Sequence, residues 1–264
     1  MIIAILAVVG LVLGSFINAL VWRTHEGLSV AHGRSMCPHC KHTLGAADLV
    51  PVLSWLMLRG KCRYCKKPIS AQYPLVELAT GGLFVASYIW WPEAFSNPQK
   101  AVFVLWLIIL TGLIALAVYD LKWFLLPNRL IYPVAMIAIV QAAVAIADAG
   151  SPGTALLNTV LGLIVGGGIF YVLFQVSKGK WIGGGDVKLG ALLGLIVATP
   201  GRAILFIFFG SLLGSLVSAP LLARGDLKRT SVIPFGPFLI IGGIITVLFG
   251  GDILHWYQRV FLNM

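Results

Sequence analysis

Apolar runs of about twenty residues recur along this chain, and that recurrence limits what it can fold into more than any single motif does. Roughly 20 helical residues cross the hydrocarbon of a bilayer, where backbone polar groups find no water and must be satisfied within the protein. Eight runs can be placed, at 2–22, 73–91, 101–119, 130–148, 155–176, 187–199, 203–222 and 232–250. The sixth is short and is entered through Gly183, Gly184 and Gly185, so it is the least suited to a regular full crossing. Only 11% of the 264 residues are charged, against about 25% in a soluble domain, and the mean hydropathy is +0.97. The alternating ten-residue segments of a membrane barrel are missing. The expected fold is an all-α polytopic membrane protein with about eight transmembrane helices.

Residues 1–20 lack a basic leading region and a small-residue cleavage site, so they read as a retained first span and not as a secretory signal. The one polar block, 23–72, separates that span from the rest, giving a first helix (1–22), a loop domain (23–72) and a seven-span core (73–264). No linker, internal repeat or low-complexity tract is expected. With the block placed inside and the spans alternating, sixteen Lys/Arg fall in inside segments (23–72, 120–129, 177–188, 223–231) and three outside (Lys100, Arg202, Arg259). Such an excess faces the cytoplasm, which puts the N-terminus outside. The net charge of +10 is thereby explained as topology, with attraction to anionic lipid besides, and gives no reason to expect nucleic-acid binding.

All four cysteines lie in the polar block as two Cys-x-x-Cys pairs, Cys37/Cys40 and Cys62/Cys65, with 21 residues between the pairs. Two such knuckles complete a tetrahedral four-thiolate zinc site. The neighbouring Lys61, Arg63, Lys66 and Lys67 offset its negative charge. Disulfides are the other use of these residues, and a reducing compartment disfavours them. A loop of this size has little core of its own, so a structural metal would supply its folding energy.

Two aspartates stand at span boundaries on the cytoplasmic side. Asp120 ends the third run, facing the unfavourable negative end of its own helix dipole, and Pro127 interrupts the chain seven residues on. An acid kept there is a candidate for function. Asp186, in "WIGGGDVKLG", also reads as the N-cap of the sixth run. The three glycines before it exceed what a cap needs: they allow unusual backbone angles and close approach of another chain. Two neighbouring carboxylates share a proton, so that one activates water while the other polarises a carbonyl. Whether these two meet is a tertiary question.

With those residues in view, the chain resembles the bacterial type IV prepilin peptidases, membrane aspartyl peptidases of pilus and type II secretion systems. The likeness runs through "LGSFINALVWR", "VPVLSWLMLRGKCRYC", "YPLVEL", Asp120 followed by Pro127, Gly183-x-Gly185-Asp186 followed by "VKLG", and "IPFGPFL", all in the family's order. It implies that Asp120 and Asp186 are the catalytic pair. It implies that they cut a short basic leader from prepilins and pseudopilins, after a glycine, at the cytoplasmic face of the bacterial inner membrane. It also implies N-methylation of the new N-terminus with S-adenosylmethionine, for which the residues themselves show no nucleotide fingerprint. Lys122 and Asn128 depart from the family, which often has acids at those two places.

Gly183 and Gly185 are the expected path for a substrate backbone. Lys188 either snorkels to the interface or holds a substrate carboxylate or Asp186. Glu77, early in the second run, is a candidate for binding the methyl donor or an interfacial anchor. Gly166–Gly168 suit close helix packing. Two other readings compete: a secondary transporter with a broken-helix site, which the lack of an inverted repeat disfavours, and a thiol-redox protein using its cysteine pairs.

Overall fold

The structure is a computed structural model, described here for residues 1–30, 32–224 and 233–261. Among these residues there is no β-strand, only two isolated bridges, and the chain is built of helices. They are α1 (Ile2–His25), a short α2 (Leu53–Met57), α3 (Gln72–Ile89), α4 (Asn97–Trp123), α5 (Asn128–Asp148), α6 (Pro152–Ser177), α7 (Gly184–Val197), α8 (Pro200–Ala223) and α9 (Gly236–Phe261). Six of them, α1, α4, α5, α6, α8 and α9, are long and apolar enough to cross a membrane. The second and sixth expected spans do not meet that measure. α3 has 18 residues, with Gln72, Tyr73, Pro74 and Glu77 diluting its first turns. α7 has 14 residues, about 21 Å of helix against a hydrocarbon core of about 30 Å. The segment 225–232, which holds part of one basic loop and the first residue of the last expected span, lies outside the described residues.

The chain forms two compact units, Met1–Ile89 and Trp90–Met264. In the first, α1 and α3 run antiparallel at very short range. A Cβ at Gly10 would lie 2.7 Å from the Gly81 Cα, and one at Gly14 would lie 2.5 Å from the Glu77 Cα. Small residues four apart on one face permit this approach, which takes the place of a hydrophobic drive that lipid does not supply. Asn18, buried on the same face, donates to the carbonyls of Gly14 and Tyr73 and fixes the register.

Arg23 closes α1. Its guanidinium is buried and donates to five backbone carbonyls, those of Ser29, Val30, His32, Gly33 and Arg34. The loop that leads to the cysteines is thereby wound around one side chain. The cysteine block itself contains a repeat that the sequence reading did not expect. In the first knuckle Cys37 N–H donates to His42 O, Lys41 N–H to Cys37 O and Leu44 N–H to Ser35 O; in the second, Cys62 to Lys67, Lys66 to Cys62 and Ile69 to Gly60. Lys41 and Lys66 take matching left-handed angles, with φ of 57° and 59°. Residues 35–44 and 60–69 are therefore copies in backbone, although they share few side chains beyond the cysteines.

In the second unit α4 is the core helix: Trp106, Ile109, Leu110, Leu113, Ala115 and Leu116 are all fully buried. α6 and α7 meet along glycines. A Cβ at Gly166 would lie 2.5 Å from the Gly190 carbonyl oxygen, while Gly168 faces open space, so the close packing expected of this triplet belongs to its first two members. The C-terminal end of α4 and the N-terminal ends of α7 and α9 converge at one end of this unit.

Candidate active site and metal centre

The convergence brings Asp120 within electrostatic reach of Asp186. Asp120 lies one turn before the left-handed Phe124 that ends α4, and is 5% exposed. Its own helix offers it the wrong end of a dipole. The compensation comes from α9, whose first residue, Gly236, donates its N–H to Asp120 Oδ2 at 3.1 Å. The carboxylate thus sits on the N-terminus of a second helix, where a negative charge is favoured. Asp186 is half-buried in the first turn of α7 and accepts the Gly183 N–H at 3.2 Å. Each aspartate is held through one oxygen by a backbone N–H. Among the described residues the other oxygen of each accepts no hydrogen bond, and the two carboxylates are near enough to interact electrostatically. Gly236 is closely packed between α4 and α7: a Cβ there would meet Asp120 Oδ2 at 2.6 Å and Leu189, one turn beyond Asp186, at 3.5 Å.

Two expectations for the glycine run need correction. Asp186 is not the N-cap of its helix. α7 starts at Gly184, Gly183 is the cap, and Asp186 is the third residue, reaching back to the cap's N–H. Nor do the glycines take angles closed to other residues. Gly183 is extended, with φ −78° and ψ 153°, and neither Gly184 nor Gly185 has a positive φ. What the run supplies is space. A Cβ at Gly185 would lie 3.1 Å from Leu126 Cβ, and Gly183 is exposed beside the Asp186 carboxylate.

Lys188 is exposed and donates to Asn128 Oδ1 at 2.8 Å, so two residues that the sequence reading singled out separately form one contact at the rim. Lys122 lies with its Nζ 5.1 Å above the Trp123 ring. Gly236, within "IPFGPFL", acquires its role toward Asp120 only in the tertiary structure. The signal was the Gly-Pro pair at a helix start, which sequence alone assigns to capping.

The four cysteine sulfurs form one cluster, all within 4.8 Å of one another, with Cys37 and Cys65 Sγ 3.9 Å apart. Thiolates about 2.3 Å from a tetrahedral zinc are separated by about 3.8 Å, so the donor set fits that ion. A single four-sulfur cluster also argues against two independent redox pairs. Burial works against ionisation of Cys37, yet the backbone N–H groups of Cys40 and His39 bring its thiol down to about 7, while crowding by the other three thiols helps push Cys65 up to about 11. Around the centre, Asp48 ties the block together by accepting from Arg63 Nε at 2.6 Å, Tyr64 Oη and the Gly45 N–H. His42 stacks on Tyr64 and does not join the cluster.

Glu77 is buried and already engaged. Its carboxylate accepts the Val52 N–H at 2.7 Å.

Known families account for both units. The Bacterial Peptidase A24 N-terminal domain matches residues 8–91, which include the four cysteines, and the Type IV leader peptidase family matches residues 107–219, which include both aspartates. The chain is 34% identical over 260 residues to a prepilin leader peptidase/N-methyltransferase of Bacillus subtilis (strain 168), covering 98% of this chain and 99% of that one. It is 34% identical over 229 residues to the protein of the same name from Aeromonas hydrophila, covering 87% and 76%. A type 4 prepilin-like proteins leader peptide-processing enzyme of Escherichia coli O78:H11 (strain H10407 / ETEC) is 35% identical over 263 residues, with 90% of each chain covered. No solved structure matches. Likeness of this extent, over nearly the full length of a relative and across both the cysteine block and the paired aspartates, makes the chain a member of the type IV leader peptidase family.

Proposed function

We propose that this chain is a membrane aspartyl endopeptidase that uses Asp120 and Asp186 to remove the short basic leader of type IV prepilins and type II secretion pseudopilins after a glycine, and that it then N-methylates the new terminus. The observation that carries the peptidase reading is the meeting of two carboxylates from α4 and α7, each tied to a helix N-terminus and each with one oxygen left open. With one proton shared between them, the ionised carboxylate takes a proton from water as the oxygen attacks the scissile carbonyl carbon. The protonated one gives its proton to the carbonyl oxygen. Collapse of the tetrahedral diol then breaks the C–N bond, and a carboxyl proton passes to the leaving amine.

The relatives' names couple this activity with methylation. S-adenosylmethionine would supply the methyl group. Glu77, buried and with one carboxylate oxygen accepting the Val52 N–H, would be the candidate to hold it, and no step is routed through it. Cys37, Cys40, Cys62 and Cys65 would hold a structural zinc. The charge asymmetry supports placing the aspartates toward the cytoplasm of a bacterial inner membrane, with the N-terminus periplasmic and with α3 and α7 completing eight crossings. A 14-residue α7 leaves room for Asp186 to sit within that face and not upon it.

The test is cleavage of a synthetic prepilin by detergent-purified protein, with Asp120→Asn and Asp186→Asn beside the wild type. Cleavage after the leader glycine by the wild type alone, with both variants folded, is the expected outcome. Full activity in either variant removes that aspartate from the mechanism. Mass analysis of the product reads methylation independently.

A further inference from the structure

We infer that the segment from Leu49 to Met57, inside the block that the sequence reads as cytoplasmic, dips into the bilayer and presents Leu53, Leu56 and Met57 to lipid acyl chains. Val52 donates its N–H to Glu77 Oε2 at 2.7 Å, and the Glu77 Cα is pressed against Gly14 of α1. Gly14 precedes Arg23, the first charged residue after the apolar run of α1, by nine residues, about 13 Å of helix. An extended glutamate side chain recovers about 5 Å of that. With the 2.7 Å hydrogen bond taken off as well, the Val52 amide lies roughly 6 Å inside the level of Arg23, among helices whose own surfaces face lipid.

Exposure points the same way. Leu53, Leu56 and Met57 are 58%, 56% and 83% exposed, and Leu49 and Val50 beside them are exposed as well. Such a patch is unfavourable in water and natural in hydrocarbon. Leu75 and Leu78, flanking Glu77 on α3, are exposed too and continue the apolar surface.

Irregular backbone at membrane depth needs its polar groups satisfied, and around the turn at Val52 four donors have acceptors. Pro51 has no N–H. Val52 gives its own to Glu77, Leu53 donates to Pro51 O, Ser54 to Val50 O and Leu56 to Val52 O. The bond from Leu53 to Pro51 closes a γ-turn centred on Val52, with φ 60° and ψ −50°, a strained geometry for a β-branched residue. Glu77 holds that turn in place, which makes it a positioning residue for the segment. Immediately afterwards come Arg59, Lys61, Lys66 and Lys67, all exposed and suited to headgroup phosphates.

Photolabelling tests this on the intact chain without substitutions. The full-length protein is reconstituted in vesicles containing a phospholipid with a diazirine near the end of one acyl chain, irradiated, and mapped by peptide mass spectrometry. Adducts on the 49–57 peptide are expected, alongside those on α1 and α3. Labelling confined to the long helices, with fast deuterium exchange across 49–57, overturns the inference. So does labelling of that peptide that vanishes on adding a prepilin or on raising the protein-to-lipid ratio, since a protein then covers the patch. Glu77→Ala is expected to cut labelling of 49–57 several-fold while α1 and α3 label as before, and Glu77→Gln, which keeps an acceptor oxygen, is expected to retain it. Equal labelling in Glu77→Ala overturns the anchoring role.

Discussion

Gly236→Ala is the sharpest probe of whether Asp120 works chemically or merely ties two helices. The new Cβ would lie 2.6 Å from Asp120 Oδ2, 3.3 Å from its Cγ and 3.5 Å from Leu189 Cδ2. A relaxed carbon–oxygen contact is near 3.3 Å, so about 0.7 Å must be found. Little around the residue can give: Asp120 is almost fully buried, Leu189 is fully buried, and the Gly236 N–H is itself the donor to that carboxylate. Relief comes either by turning the carboxylate or by shifting the start of α9. Overpacking of this kind costs about 1–3 kcal/mol, which lowers the unfolding temperature without preventing folding. A displacement approaching 1 Å at a reacting group costs on the order of 10²-fold in rate. Alanine here should therefore leave a folded protein whose kcat on a synthetic prepilin falls by about 10², while KM, set mainly by contacts elsewhere along the substrate, moves little. Steady-state cleavage kinetics beside thermal unfolding in the same detergent separate the two effects. A variant with a lowered unfolding temperature and an unchanged kcat would refute the reasoning, because Asp120 would then be a structural tie only.

Other outcomes follow from the packing and from the metal site. Gly166→Ala sets a Cβ against a backbone carbonyl that cannot turn aside, at Gly190 O, so α7 must move; both the unfolding temperature and cleavage should fall, read in the same two assays. Purified protein should carry about one zinc per chain by elemental analysis, and Cys62→Ser should lose it and open the 35–69 region to limited proteolysis. Arg23→Lys replaces a planar fork that serves five carbonyls with a point charge bearing three donors, so cleavage by a protease within 26–36 should become faster.

Much of the architecture could be read from residues close together in sequence. A run of twenty apolar residues is a local fact, and so is the spacing of a cysteine pair, because a knuckle closes within one turn of chain. Asp120 also announced itself locally, as an acid at the wrong end of its own helix. The glycine run before Asp186 stands out in the sequence, but its geometry does not follow from it. Three glycines argue for unusual angles, yet the tertiary requirement was room beside Leu126, and the helix simply began earlier, at Gly184. The backbone repeat between 35–44 and 60–69 was hidden because main-chain hydrogen bonds carry it and side chains do not.

What the sequence by itself determined, then, is the solvent the chain folds in and the chemical groups it brings there: an all-helical membrane body, a four-thiolate cluster and two boundary carboxylates. Tertiary structure alone decided that Asp120 comes within electrostatic reach of Asp186, and that Gly236, separated from Asp120 by 116 positions, is what holds it. Hydropathy and ligand spacing act over a few residues. The distance between two carboxylates on different helices depends on how closely those helices pack, and that is set by contacts spread over the whole bundle, such as the glycines of α6 against those of α7.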